Sequence, residues 1–383
     1  MLKVRTLSLG DETFYGTKKV SVRGKSLHTP VKAVNFKNLR KDIKIDHTGF
    51  LGEIYKTFDG KKIKALIGDE ENQIKFNAGL NSAMRMAEYF EIEHLLFIPS
   101  ITYLNPNENE LTFIIATQKQ YSDFYVVPTV AGLSKLLKAG HSIQDYIALI
   151  ECYLSLLEGY PEKSVMGTLP LNTPYQYIED LMQIYLDRGV EAFCIDIGGR
   201  VALSLTQQIA EVQRFLLKNE IEAFVHATNV NIGRAKKRSN IITAKDVLSF
   251  GMGFDSLGDN HVGGGTRDAP PVVDLNLRLF DKDGYGYHKI HNMGEIEDIY
   301  PEGSKVTPEH LLDDSLSRRK KAQATFNYEQ IGIETDRLMR VIDEGGVDSY
   351  VRNKTHVDND SFKAIAKVRA DLSQTRLYEE FLR

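Results

Sequence analysis

Short apolar runs rich in β-branched residues alternate with amphipathic stretches along most of this chain, and that alternation is what most narrows its fold. The runs are VKAVNF (31–36), IKID (43–46), HLLFIPSI (94–101), LTFIIAT (111–117), FYVVPTVAG (124–132), SVMGTLPL (164–171), AFCIDIGG (192–199), AFVHAT (223–228) and LSFGMGFDS (248–256). Several lack period-2 alternation, the pattern of strands buried on both faces of a parallel sheet. Between them, residues 81–92, 142–158 and 174–188 carry apolar side chains at helical spacing. Repeated strand-then-helix units predict a parallel sheet with helices outside. About eight such units in 383 residues favour an α/β TIM (β/α)8 barrel over an open doubly wound sheet. No G-x-G-x-x-G follows a first strand, which removes the main argument for a dinucleotide-binding fold.

From residue 256 onward the character changes. There is a glycine run at 263–265, a proline pair at 270–271, a hairpin-like DKDGYGYHKIH and then helical patterning over 311–346. We therefore expect a barrel over 1–300 with an N-terminal β extension, and a C-terminal helical subdomain over 301–383 packed on it.

Composition bounds the function. The net charge is −4, so no global positive field announces a nucleic-acid partner and such binding must come from local patches. Two such patches stand out: Arg234, Lys236, Lys237 and Arg238 after the run AFVHAT, and Arg318 and Arg319 farther on. They are candidate phosphate contacts. Cys152 and Cys194 sit in apolar contexts and read as small buried hydrophobes, which excludes a disulfide framework and fits a reducing, cytoplasmic setting. No apolar run reaches the ~20 residues that span a bilayer. His288 and His291 form no recognisable metal signature, and neither a phosphate-binding loop nor a G-x-S-x-G elbow occurs. No metal and no cofactor are expected.

Catalytic groups of a barrel gather at the C-terminal ends of its strands. On that rule Asp46, closing IKID, and Asp255, in FGMGFDSLGDNH, are candidate catalytic carboxylates, and Gly198 and Gly199 allow a flat ligand close to the backbone. Each can equally be a plain turn residue. A pair of carboxylates also suits a barrel glycosidase.

The order of these motifs resembles the tRNA-guanine transglycosylase superfamily and its relatives that insert 7-deazaguanines into DNA. Gly24 through Thr29-Pro30 is similar to the family's opening turn, Asp46-His47-Thr48-Gly49-Phe50 to its Asp-Ser-Gly-Gly-aromatic motif, and Ile197-Gly198-Gly199 to its later glycine turn. Gly251 through Ser256 resembles its nucleophile strand, and 326–352 its closing helices. The resemblance covers about residues 20–352. It implies Asp255 as covalent nucleophile on C1′ of a guanosine, Asp46 as general acid/base, Phe50 stacking on the base, and Gly198, Gly199, Ser256 and Thr168 lining its pocket. It also implies a nucleic-acid partner and allows a homodimer. The cysteine run that holds the family's zinc is missing over 296–320. That points to a zinc-less relative acting on DNA, with a tRNA enzyme or a non-catalytic nucleic-acid-binding paralogue as alternatives.

Overall fold

Parallel pairing organises the molecule. The computed structural model describes residues 2–47, 49–235, 239–262 and 275–381, with 373–381 as backbone. Three antiparallel strands open the chain: β1 (Lys3–Leu9), β2 (Gly16–Val22) and β3 (Lys25–Thr29). Then come β4 (Val31–Asn35), β5 (Leu51–Phe58), β6 (His94–Ile101), β7 (Phe124–Val126), β8 (Thr129–Val130), β9 (Ser164–Pro170), β10 (Ala192–Asp196) and β11 (Phe224–Thr228). After β12 (Ile241–Thr243) follow β13 (Ser256–Leu257), β14 (Leu277–Asp281) and β15 (Gly286–Ile290).

Nine of these form one parallel sheet in the order β7-β9-β10-β11-β13-β4-β5-β6-β8. The sheet is strongly curled. Side chains of β5 and β11, which are not neighbours in that order, hydrogen-bond each other, as Thr228 does to Glu53 at 2.7 Å. Thr129 of β8 likewise reaches Asp196 of β10 at 2.9 Å. A third sheet, β12-β15-β14, is antiparallel.

The enclosed face of the curled sheet is divided along the strand direction. Toward the N-terminal ends it is apolar: Val31, Leu51, Leu96, Phe124, Met166, Ala192 and Phe224 form one buried cluster with Val20, Val22 and Leu27 of the antiparallel sheet. That sheet therefore plugs the N-terminal end. Toward the C-terminal ends the face turns polar, with Glu53, Ser100, Thr168, Asp196, His226 and Thr228 all buried. Helices cover the other face, including Glu70–Tyr89, Glu108–Tyr121, Ile143–Leu157, Ile178–Leu186 and Thr206–Lys218. The helix Leu316–Asp343 packs on β4 and β14 as well as on the N-terminal strands.

Several expected elements change type. LTFIIAT is not a strand but the body of the helix Glu108–Tyr121, started by an Asn107–Glu110 capping box. IKID lies in the connection before β5, and LSFGMGF is helical turn, with strand only at Ser256–Leu257. The strand β5, LGEIYKTF, was not anticipated. The hairpin β14–β15 and the strand β6 fall where expected. Among the described residues no helix is long and apolar enough to cross a membrane.

Gly52 of β5 is a tight point. A Cβ there would lie 2.4 Å from Phe36 Cζ and 2.5 Å from Leu95 Cδ2. Gly52→Ala should therefore lower the free energy of unfolding by about 2 kcal/mol through overpacking. Urea unfolding checks this, and an unchanged midpoint would show that Phe36 and Leu95 give way freely.

Candidate functional site at the C-terminal edge of the sheet

Glu53 is the centre of the polar end. It projects from β5 into the enclosed face with no exposure. Its Oε1 accepts from Thr228 Oγ1 at 2.7 Å and faces His226 Nε2 at 3.3 Å. Its Oε2 accepts the Asp259 backbone N–H at 3.0 Å and lies 3.1 Å from His261 Nε2, off the line of a good hydrogen bond. Burial works to raise the Glu53 pKa, but His261 and His226 outweigh it and hold the carboxyl well below its usual range. Burial pulls His261 down, yet the nearby Glu53 carboxylate more than compensates and raises it. The His261 ring stacks on Tyr55 at 4.4 Å. Gly258 makes this possible, because a Cβ there would sit 2.4 Å from Glu53 Oε1.

Asp259 follows β13 and opens on solvent, with its side chain 19% exposed. Lys32 Nζ of β4 donates to Oδ1 at 3.0 Å, and Asn38 Nδ2 donates to Oδ2 at 3.0 Å. The Tyr328 hydroxyl, from the long helix, donates to Oδ2 through a short contact. Burial first, and then Asp259, push the Tyr328 pKa far up, so it stays a donor. Asp259 and Lys32 line a cleft of about 300 Å³, with Arg278, Asn231, Tyr287 and Tyr328 among its walls. That is enough for a small ligand.

A second acid stands beside them. Asp196, at the end of β10, accepts from Thr129 at 2.9 Å, from Asn229 Nδ2 at 2.8 Å and from the Gly198 N–H at 2.8 Å. Asn229 also accepts the His261 N–H at 2.9 Å, which ties this acid to the Glu53 group. The mouth thus assembles carboxylates, imidazoles and one ammonium within a partly dry setting, which suits proton transfer and nucleophilic attack.

The residues expected from sequence separate. Asp255 precedes β13 and lies at the N-terminal end of the sheet, 4% exposed. Its Oδ2 accepts from Lys18 Nζ at 3.0 Å and from the Val225 N–H at 2.7 Å, and Thr29 is 3.5 Å from Oδ1. Burial raises its pKa against the lowering by Lys18. It clamps the plug sheet to the strands and is shut off from the mouth. Asp46 is 77% exposed and pairs with Lys305 at 2.9 Å. These two carboxylates share no partner, and the expectation that they face each other across a pocket is overturned. Phe50 is a core residue packed edge-to-face on His47 at 4.5 Å, so it cannot stack on a base. Thr168 is fully buried and donates to Val127 O at 2.5 Å. Ser256 lies beneath the site, 2.8 Å from His226 Nδ1.

Gly198 and Gly199 do sit at the mouth, with φ of 64° and 74° that favour glycine. Their N–H groups are already taken, by Asp196 Oδ1 at 2.8 Å and Asn229 O at 2.9 Å. Arg234 is exposed just past β11. Lys236, Lys237 and Arg238 lie outside the described residues. Arg318 pairs with Asp313 and Asp42, and Arg319 follows it on the same helix turn. His291 is exposed beyond β15, while His288 turns toward Asp281 and His356.

No protein-family model and no curated protein sequence matches this chain.

Lys32, Glu53, His226, Asp259 and His261 were missed. The available signal was a lone charged or titratable residue inside an apolar run, as in VKAVNF and AFVHAT, where burial demands a partner.

Two outcomes follow from these contacts. Lys18→Met strands a buried carboxylate and should cost on the order of 3 kcal/mol in urea unfolding; an unchanged stability would mean that Asp255 does not need its partner. His261, raised above its ordinary 6.5, contributes stability that is complete below that pH and is lost as pH rises through its folded value. Glu53, depressed below its ordinary 4.5, contributes above that pH and loses it only as pH falls through its much lower folded value. The urea midpoint should therefore decline above pH 6.5, and His261→Gln should flatten that decline. An identical slope in the variant would remove His261 from the account.

Proposed function

We propose that this chain is a base-exchange glycosyltransferase on a closed (β/α)8 barrel. It replaces guanine in DNA with a 7-deazaguanine through a covalent sugar–aspartate intermediate, and Asp259, not Asp255, is the aspartate. The observation that carries the reading is Asp259 itself: a cleft-facing carboxylate at the C-terminal end of the last parallel strand, four residues beyond the one the motif suggested.

Closure of the barrel is supported by the chain between β6 and β9. β7 and β8 stand at opposite ends of the sheet order, yet only residues 127 and 128 separate them. Taken as one strand, Phe124–Val130 pairs with β9 through Tyr125 and with β6 through Thr129. Eight strands then close on themselves, and Gly198, Asp196, Glu53 and Asp259 share one mouth.

The chemistry runs in two balanced halves. An Asp259 oxygen attacks C1′ as the bond from C1′ to the guanine nitrogen breaks, and that bond's electron pair leaves with the base. His261, whose pKa Glu53 raises against the lowering by burial, supplies the proton that neutralises the departing base. The incoming 7-deazaguanine gives its N–H proton to His261 and attacks C1′, and Asp259 leaves with its electron pair. Lys32, Asn38 and Tyr328 orient the nucleophile and receive it again as a carboxylate. Arg278 in the cleft and the exposed Arg234 past β11 suit a phosphate backbone. DNA stands ahead of tRNA because the cysteine run of the tRNA enzymes is missing.

The test is incorporation of radiolabelled guanine or a 7-deazaguanine into duplex DNA and into tRNA. Label should enter DNA. Asp259→Asn should reduce it by at least about 10³-fold, as expected for loss of a nucleophile, while Asp255→Asn should keep turnover in whatever fraction folds. Label in tRNA alone would move the substrate, and full activity in Asp259→Asn would discard the mechanism.

A further inference from the structure

Away from the mouth, three separate stretches bring two imidazoles and a carboxylate together. Asp281 ends β14, His288 lies on β15, and His356 comes just before the last helix, Asn359–Phe381. One ligating atom from each lies within 4.8 Å of the other two. His288 Nε2 is 3.8 Å and His356 Nε2 is 4.0 Å from the same oxygen, Asp281 Oδ2. These are too long for hydrogen bonds. His288 Nε2 is buried without a hydrogen-bond partner.

The surroundings hold the three groups in place. Asp281 accepts the Asp283 N–H at 2.9 Å on Oδ1 and the Gly284 N–H at 3.0 Å on Oδ2. His356 is pinned at both backbone groups: its N–H donates to Gly284 O at 2.8 Å, and its carbonyl accepts from Thr243 Oγ1 at 3.0 Å. Two glycines leave the space these rings use. A Cβ on Gly284 would lie 2.5 Å from Asp281 Oδ2 and 2.7 Å from His356 Cδ2, and a Cβ on Gly286 would lie 2.7 Å from His356 Cδ2. The neighbouring ammonium of Lys354 is directed elsewhere, to Lys282 O at 2.7 Å and Glu334 at 3.3 Å.

We propose that Asp281, His288 and His356 bind one divalent transition-metal ion of the zinc class, with a fourth position left to water. A tetrahedral ion with ligands at about 2.1 Å spaces them roughly 3.4 Å apart. The spacings to Asp281 of 3.8 and 4.0 Å need about half an ångström of closure, and the two imidazoles, within 4.8 Å of each other, must turn toward the ion by up to about 1.4 Å. Two nitrogens and one oxygen suit zinc, cobalt(II) or iron(II) far better than magnesium or calcium. The ion would tie the hairpin β14–β15 to the segment entering the last helix.

The experiment is a cobalt(II) titration of the full chain after chelator treatment, read by visible absorption and by metal content after desalting. A ligand-field band saturating at about one ion per chain, and displaced by zinc, is expected. Zinc should also raise the thermal midpoint of the wild-type chain and leave His356→Ala and Asp281→Asn unmoved. Either variant binding cobalt as the wild type does would overturn the assignment. Should the variants not fold, the wild-type titration decides alone: saturation near one equivalent supports the site, and an absorbance that never saturates refutes it.

Discussion

A carboxylate with no exposure keeps its charge only where other groups replace the water it has lost. Glu53 is that carboxylate. Its replacements come from Thr228 and His226 on β11, from His261, and from the Asp259 backbone. β5 and β11 are not neighbours in the sheet, so satisfying Glu53 requires the sheet to curl until they face each other. The same requirement draws the segment after β13 over the C-terminal edge. Asp259 is carried there with its side chain turned to the cleft, and the proposed chemistry depends on that placement.

The opposite end of the sheet solves a different problem. Apolar side chains fill it, and the antiparallel sheet β1–β3 covers it with Val20, Val22 and Leu27. Joining the two sheets leaves Asp255 and Lys18 inside, and they pair with each other. Asp255 and Asp259 are four residues apart in sequence and serve opposite ends of one strand. The first is bound by the plug and the second is available at the mouth. A short strand of two residues makes this possible, since little chain is needed to pass from one end to the other.

The strand-then-helix rhythm was legible because fully buried strands such as HLLFIPSI and AFCID have few competing explanations. LTFIIAT misled because apolar content alone does not distinguish a buried helix face from a strand; its length and the Asn107–Glu110 cap were the deciding signals. β5 is hard to see in the sequence because two charged residues, Glu53 on the enclosed polar face and Lys56, break the apolar run. The candidate site was harder. A rule that places chemistry at strand ends depends on knowing which end, and the pattern of LSFGMGFDS reads as a strand with Asp255 near its end. In the fold it is a helical turn that leads into the strand there, so the rule selected an aspartate at the N-terminal end of the sheet. Asp46 failed for the same reason, because IKID is a connection and β5 begins after it. The glycines Gly198 and Gly199 were placed correctly because positive φ at a strand-to-helix turn is a local demand that survives errors elsewhere.

The most direct measurement is the site of covalent attachment. The protein is incubated with DNA and no acceptor base, quenched, digested, and its peptides are sequenced by tandem mass spectrometry. A deoxyribose-bearing adduct on Asp259 is expected. An adduct on Asp255, or on any residue outside the cleft, would contradict the proposed chemistry.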